Sequence, residues 1–219
     1  MELKLAIFDL DGVIVDTAKY HFLAWQRLGR EIGVEFTRTD NERLKGVSRM
    51  RSLDILLEIG GQERSDQEKE ALANQKNTWY VEYIRQMDTS EILPGVLPFL
   101  EELRDAGIKI ALGSASKNAK TILERVSLSD YFDAIVDGNV VSKAKPDPQV
   151  FTLAASMLST PSQQAVVFED AQAGIEAALR AQMMAIGVGD PETLQDADTI
   201  IPGFADFTLE DLRKIWSAR

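Results

Sequence analysis

The sequence of 219 residues contains no cysteine and a single histidine, His21. Without thiols there is no disulfide, no thiolate nucleophile, no cysteine-bound zinc and no iron–sulfur cluster. One imidazole excludes every multi-histidine metal site, and a Ser-His-Asp mechanism would have to run through His21 itself. Basic residues are in deficit as well, 24 against 35 acids for a net charge of −11. That balance argues against nucleic acid or a membrane surface as the main partner, because both are gripped first by Lys and Arg. An anionic substrate must instead be met by a few local cations. No apolar stretch approaches the roughly 18–20 residues of a membrane span. The opening MELKLAIFDLD breaks its apolar run at Asp9 and lacks a signal-peptide cleavage pattern, so the expected location is cytoplasmic.

What is present is material for a core, since 45% of the residues are apolar. Leu3–Leu10, Ile108–Ala115, Ala134–Gly138, Ala165–Asp170 and Met184–Val188 are short apolar runs with β-branched residues that end in polar or small ones. They predict buried parallel strands. Helical segments lie between them: Leu97–Ala106, Lys117–Val126 behind a Ser116 cap, Pro148–Leu158 and Ala171–Ala181, with Leu209–Ser217 closing the chain. The alternation predicts an α/β fold, a doubly wound parallel sheet with a Rossmann-like core. Residues 17–88 break the rhythm. They hold no strand candidate and predict four helices, Ala18–Ile32, Asn41–Lys45, Arg51–Glu58 and Asp66–Gln86, interrupted at Gly33, Gly46 and Gly60–Gly61. The expectation is an inserted α-helical cap domain over 17–88 and a core domain over 1–16 and 89–219, with paired crossings that could hinge.

Four constellations carry chemistry. Asp9 and Asp11 in DLDGV close the first strand, where open α/β sheets place ligands, and residues two apart face the same way. Such a pair can divide its labour, one acid charged as nucleophile or metal ligand and the other holding a proton, although an Asp-rich turn is common in any α/β protein. Ser114 ends the second core strand, and Ala115, Ser116, Lys117 and Asn118 open a helix, so hydroxyls and N–H groups converge where a phosphate could sit. An ordinary cap would look the same. Lys145 in KAKPDP sits on a loop, extended by Pro146, or is simply a solvated lysine. Glu169 and Asp170 end the next strand before the helix that begins at Ala171. In combination, Asp9, Glu169 and Asp170 bring three negative charges that one Mg²⁺ and Lys145 would balance, and oxygen donors without His or Cys favour Mg²⁺ over zinc.

These motifs, in this order and spanning the whole chain, resemble the haloacid dehalogenase superfamily of phosphotransferases. The resemblance implies that Asp9 attacks phosphorus to form an aspartyl phosphate, that Asp11 is the acid/base, and that Ser114 and Lys145 hold the phosphoryl group. Asp9, Asp11, Glu169 and Asp170 are the implied ligands of one Mg²⁺ per chain. The dehalogenases themselves lack the second acid, so Asp11 favours phosphoryl transfer.

The insertion resembles the cap of the superfamily's sugar-phosphate mutases through DLDGVIVDTAKYHFLAWQRL, LKGVSR with Ser52, the Lys76-Asn77 pair, GSASKNA and EDAQAGI. That likeness implies interconversion of β-D-glucose 1-phosphate and glucose 6-phosphate through β-glucose 1,6-bisphosphate as activator and intermediate, by a cytoplasmic monomer acting on small sugar phosphates. Thr17 and His21 would orient Asp11, Arg49 and Lys76 would bind the second phosphate and position the sugar, and Trp25, Gly46, Val47, Ser48, Ser52, Ala115, Ser116, Lys117 and Asn118 would complete the substrate site. His21 also falls in a helical stripe with Trp25, Leu28 and Ile32, which fits a core histidine equally well. A sugar-phosphate or phosphoglycolate-type phosphatase shares the core motifs, and a non-catalytic phosphosugar-binding protein is a further alternative. Gly113 before Ser114 and Ala144 before Lys145 depart from the familiar alanine and serine.

Overall fold

Four apolar runs condense into strands shorter than themselves, β1 (Leu5–Phe8), β2 (Lys109–Gly113), β3 (Ala134–Val136) and β4 (Ala165–Glu169), while β5 (Met184–Val188) keeps the full span of its run; β6 (Thr199–Ile201) joins them. The computed structural model describes residues 2–44 and 47–218. The strands form one parallel sheet in the order β3-β2-β1-β4-β5-β6. Strand order reverses between β1 and β4, so a crevice opens where their carboxyl ends meet. Strand β6 escapes sequence reading because its three residues are set between Asp198 and Pro202 and only Ile201 among them is buried, whereas the equally short β3 is buried at both ends.

Residues one apart on β1 feed different cores. Ala6 and Phe8 join one hydrophobic cluster while Leu5 and Ile7 join the other, on the opposite face of the sheet. Phe8 pairs in register with Phe168 and stacks on it at 4.8 Å between ring centroids. The residues that follow these two rings are Asp9 and Glu169, so the stack fixes the height from which both carboxylates depart. The core helices follow their predicted spans: α5 (Val96–Asp105), α6 (Ala119–Arg125), α7 (Gln149–Met157), α8 (Gln172–Arg180) and α9 (Leu209–Ser217). Helix α6 differs at its start. Asn118, not Ser116, is its N-cap residue and makes no side-chain cap bond, because the Ser116 hydroxyl accepts from the Asn118 N–H and closes a turn ahead of the helix.

The insertion consists of α1 (Ala18–Glu31), α2 (Arg38–Glu42), α3 (Arg49–Ile59) and α4 (Asp66–Ile84) around a third cluster that includes Phe22, Trp25, Leu28, Leu53, Leu56 and Trp79. It therefore has a core of its own. Two starts differ from expectation, and capping explains both. A Thr37–Asp40 capping box starts α2 at Arg38 rather than Asn41, and Ser48, accepting from the Arg51 N–H, starts α3 two residues before Arg51. Lys45 and Gly46 lie outside the described residues. The two crossings pair with each other: Val15 bridges Ile92 antiparallel, and Glu91 accepts from both Tyr20 (2.6 Å) and Lys19 (2.7 Å) in the first turn of α1. Among the described residues no helix is long and apolar enough to cross a membrane.

Candidate active site

At the crevice, Asp9 leaves β1 and is almost buried, 7% exposed. Lys145 is its counter-ion, with Nζ 2.5 Å from Asp9 Oδ1 and 2.8 Å from Glu169 Oε2. The ammonium stands over the Phe151 ring at 4.8 Å. Gly113 belongs to this arrangement, since a Cβ there would run into the Phe151 ring. The lysine is thus a buried group wedged between two acids and not a solvated one. Its two carboxylates push its pKa above the ordinary lysine value against the opposing effect of burial. Burial drives Glu169 the other way for an acid, up to about 8, with Lys145 holding it down and Asp9 and Asp170 raising it further.

Carboxylate oxygens of Asp9, Glu169 and Asp170 lie within 4.8 Å of one another. Two glycines make room for them. Gly12 turns the chain at φ +80°, and a Cβ on it would occupy the place of the Asp170 carboxylate; a Cβ on Gly174 would occupy that of Glu169. A nest of three hard oxygen donors, cradled by glycine and lacking nitrogen or sulfur, suits Mg²⁺. The Asp11 carboxylate takes another direction. It accepts from the Thr17 hydroxyl, and only the Asp11 main chain stays beside the nest, its N–H donating to Asp9 Oδ2 at 3.1 Å. Burial, with Asp9 adding to it, lifts the Asp11 pKa to about 6. Thr17 stands at the N-cap of α1 yet makes no cap bond, its hydroxyl being committed to Asp11. An unfilled cap costs a helix about 1 kcal/mol. Here that cost ties the acid to the first helix of the cap.

One turn along α1, His21 Nδ1 lies 3.0 Å from Lys76 Nζ, and its ring packs on Tyr80 at 4.1 Å. With Lys76 charged, its ammonium only donates, which assigns the accepting role to Nδ1 and the ring's hydrogen to Nε2. Burial first, then Lys76 and Arg49, hold His21 well below the usual histidine range, which keeps it neutral. Lys76 is itself 2% exposed and covered by the rings of Trp25 (4.7 Å) and Tyr80 (4.5 Å). Trp25 is a wall of the cap's core that supports this cation. Burial, and next the charge of Arg49, depress the Lys76 pKa well below the ordinary lysine value. Among the described residues neither Arg49 nor Lys76 forms an ion pair with an acid. Val47, Ser48 and Ser52 lie at or beside the start of α3, Ser52 buried, and Gly46 falls outside the described residues.

Ser114 is buried at the end of β2 with its N–H on the Val136 carbonyl. Its hydroxyl oxygen accepts from the Ser116 N–H at 3.1 Å, so residues 114–118 form two successive hydroxyl-closed turns. The far end of this loop meets the cap, where Asn118 Nδ2 donates to Asn77 Oδ1 at 3.1 Å. The sequence reading assigned no role to that contact; the Lys76-Asn77 pair on one helix and an Asn opening another were its only signal.

Comparison with known proteins agrees with this geometry. The chain is 44% identical to the β-phosphoglucomutase of Bacillus subtilis over 98% of its own length and 96% of that protein. It is 33% identical to a phosphorylated carbohydrates phosphatase of Thermotoga maritima over 91% of this chain and 90% of the other. The crystal structure of β-phosphoglucomutase from Clostridium difficile superposes with a TM-score of 0.94 at 39% identity, covering 99% of this chain and 98% of that one. The family model for the haloacid dehalogenase-like hydrolases matches residues 3–182, and with the aspartate pair, the buried lysine and the acidic nest in place the chain belongs to the haloacid dehalogenase-like family.

Proposed function

We propose that this protein is a β-phosphoglucomutase, interconverting β-D-glucose 1-phosphate and glucose 6-phosphate through β-glucose 1,6-bisphosphate. The observation that carries the reading is the group of cap cations, Arg49 and Lys76, that among the described residues form no ion pair with an acid and whose charges bear on a neutral His21. A phosphatase needs one phosphate site, beside Asp9. A bisphosphate has a second phosphate, and these cations are placed to receive it.

In this reading the Asp9 carboxylate attacks phosphorus of the bisphosphate, the bond from phosphorus to the sugar oxygen breaks, and Asp11 delivers its proton to that oxygen. In the return step Asp11 takes the proton of the other sugar's hydroxyl as that oxygen attacks the aspartyl phosphate. A pKa of about 6 suits both duties near neutrality. Thr17 and His21 orient Asp11, Ser114 and Lys145 hold the transferring phosphoryl group, and Ala115, Ser116, Lys117 and Asn118 take the second phosphate together with Arg49 and Lys76. Val47, Ser48, Ser52, Trp25 and Gly46 complete the sugar site. One Mg²⁺ per chain, held by Asp9, Glu169 and Asp170, would offset the repulsion between carboxylate and phosphate. Residues 17–88 act as the cap over a core of 1–16 and 89–219, in a cytoplasmic monomer.

A phosphatase is the second reading, supported by the Thermotoga relative, and is the same machinery with water admitted to the aspartyl phosphate. Incubation with Mg²⁺, β-glucose 1-phosphate and a trace of the bisphosphate separates the two. Glucose 6-phosphate is the expected product, inorganic phosphate in its place means a phosphatase, and neither means a binding protein. Asp9→Asn should abolish turnover in a folded protein, because the near-isosteric amide cannot attack phosphorus; residual steady-state mutase activity in a clean preparation overturns the nucleophile assignment.

A further inference from the structure

Asp137 is a carboxylate only 1% exposed that takes no part in the chemistry above. It follows β3 and faces the loop after β2. Its Oδ1 accepts from the Asn139 N–H at 2.9 Å and its Oδ2 from Asn139 Nδ2 at 3.1 Å, so the buried acid grips one exposed asparagine by both backbone and side chain. The same Nδ2 donates to the Lys117 carbonyl at 2.9 Å. Beside it the Gly138 N–H donates to the Ser116 carbonyl at 3.1 Å, and a Cβ on Gly138 would strike the Ala115 carbonyl. Two consecutive carbonyls of the 115–118 loop are therefore held from beneath by one three-residue turn. Since a peptide's N–H points opposite to its C=O, fixing the carbonyls of Ser116 and Lys117 also fixes the directions of the Lys117 and Asn118 N–H groups.

We propose that Asp137, Gly138 and Asn139 are positioning residues that hold the 115–118 loop in its phosphate-receiving shape, so that they govern affinity for the sugar phosphate and not the phosphorylation of Asp9. The inference rests on reading residues 115–118 as the grip on the second phosphate. The division of labour follows from place. Asp9, Lys145 and Glu169 are tied to one another and not to this turn, whereas the loop's other end reaches Asn77 on the cap. A buried acid held by two donors of one partner also spends its charge on rigidity, because each bond is charge-assisted.

The test uses Asn139→Ala, an exposed site whose loss leaves the core packing intact, and Gly138→Ala as a second variant that pushes the loop from the other side. Two rates are measured on each: steady-state mutase turnover against β-glucose 1-phosphate concentration, and formation of the aspartyl phosphate from acetyl phosphate, a phosphoryl donor with no sugar and no second phosphate. The expected result is a KM raised about tenfold with kcat at saturation within about twofold of the parent, and an unchanged rate with acetyl phosphate. A parent-like KM in both variants overturns the proposal. So does a parallel fall in both rates, which is what a merely structural turn would give. Lys117→Ala and Asn118→Ala serve as direct-contact controls: if they too bind sugar phosphate like the parent, the loop itself has been misread, a failure distinct from that of the turn beneath it.

Discussion

The two halves of the site handle charge in opposite ways. In the core, Asp9 and Glu169 share Lys145, so the buried charges are mutually compensated before any ligand arrives. In the cap, no acid is paired to Arg49 or Lys76 among the described residues, the charge of Arg49 bears on Lys76, and Lys76 is almost wholly buried. A paired buried charge holds shape; an unpaired one holds a deficit that an anion can fill. On the proposed function, the core charges are balanced before substrate arrives and the cap cations gain an anionic partner only when it binds, so cap closure is expected to draw on that gain.

The sharpest way to break the contrast is to remove the core's cation. Lys145→Ala leaves Asp9 and Glu169 buried side by side, a loss that typically costs about 3–5 kcal/mol when one partner of a buried pair is deleted. Turnover should fall by about two to three orders of magnitude, and half-saturation by Mg²⁺ should move as well, since the acidic nest would carry one charge too many. Parent-like turnover and metal dependence would show that the compensation argument fails and that Lys145 is incidental to the chemistry.

Next in size is the cap's own cation. Arg49→Ala removes a planar donor suited to a phosphate and, on the proposed function, part of the anion site whose filling closes the cap. The measurement is the ratio of glucose 6-phosphate formed to phosphate released. It should fall by about tenfold or more, because water then competes for the aspartyl phosphate. An unchanged ratio moves the assignment from mutase to a generic phosphotransferase of the family.

How much of this was legible in the residues follows from where the information sits. The strands and core helices are periodic, and each site acid stands at a strand end, so DLDG, Ser114, Lys145 and Glu169-Asp170 could be placed on one crevice before any coordinates. What stayed hidden depends on partners far apart in the chain. The Asp137–Asn139 turn is an ordinary Asp-Gly-Asn until it meets the carbonyls of Ser116 and Lys117. The resemblance implies that Asp11 is both acid/base and metal ligand, but residue type alone does not show that its carboxylate meets the Thr17 hydroxyl. Gly113 looks like a blemish in the serine motif until Phe151 is seen to need the space. Helix starts went astray where a cap, Thr37 or Ser48, outweighed the apolar pattern.

The smallest expected effect is also the most direct probe of the cap's deficit. Lys76→Met keeps a straight side chain of similar reach over Trp25 and Tyr80 and deletes the charge. Removing an uncompensated buried cation should stabilise the ligand-free protein by about 1 kcal/mol, a rise in Tm of about 2–4 °C for a chain of this size. The pH dependence follows from the direction of the shift. Burial and the charge of Arg49 lower the Lys76 pKa in the folded state, so between that value and the ordinary lysine value of 10.5 the unfolded chain binds more protons and stability climbs with pH. The cost of the charged lysine is fully present below its depressed pKa and fades above it. The advantage of Lys76→Met should therefore be greatest at acidic pH, below the depressed value, and shrink as pH rises toward 10.5. Added sugar phosphate should reverse the ranking, stabilising the parent more than the variant, because only the parent offers the anion its second cation. A variant less stable than the parent at the acidic end of the native range without ligand, or a gap that widens as pH rises, would mean that the cap carries no such deficit and differs from the core in position alone.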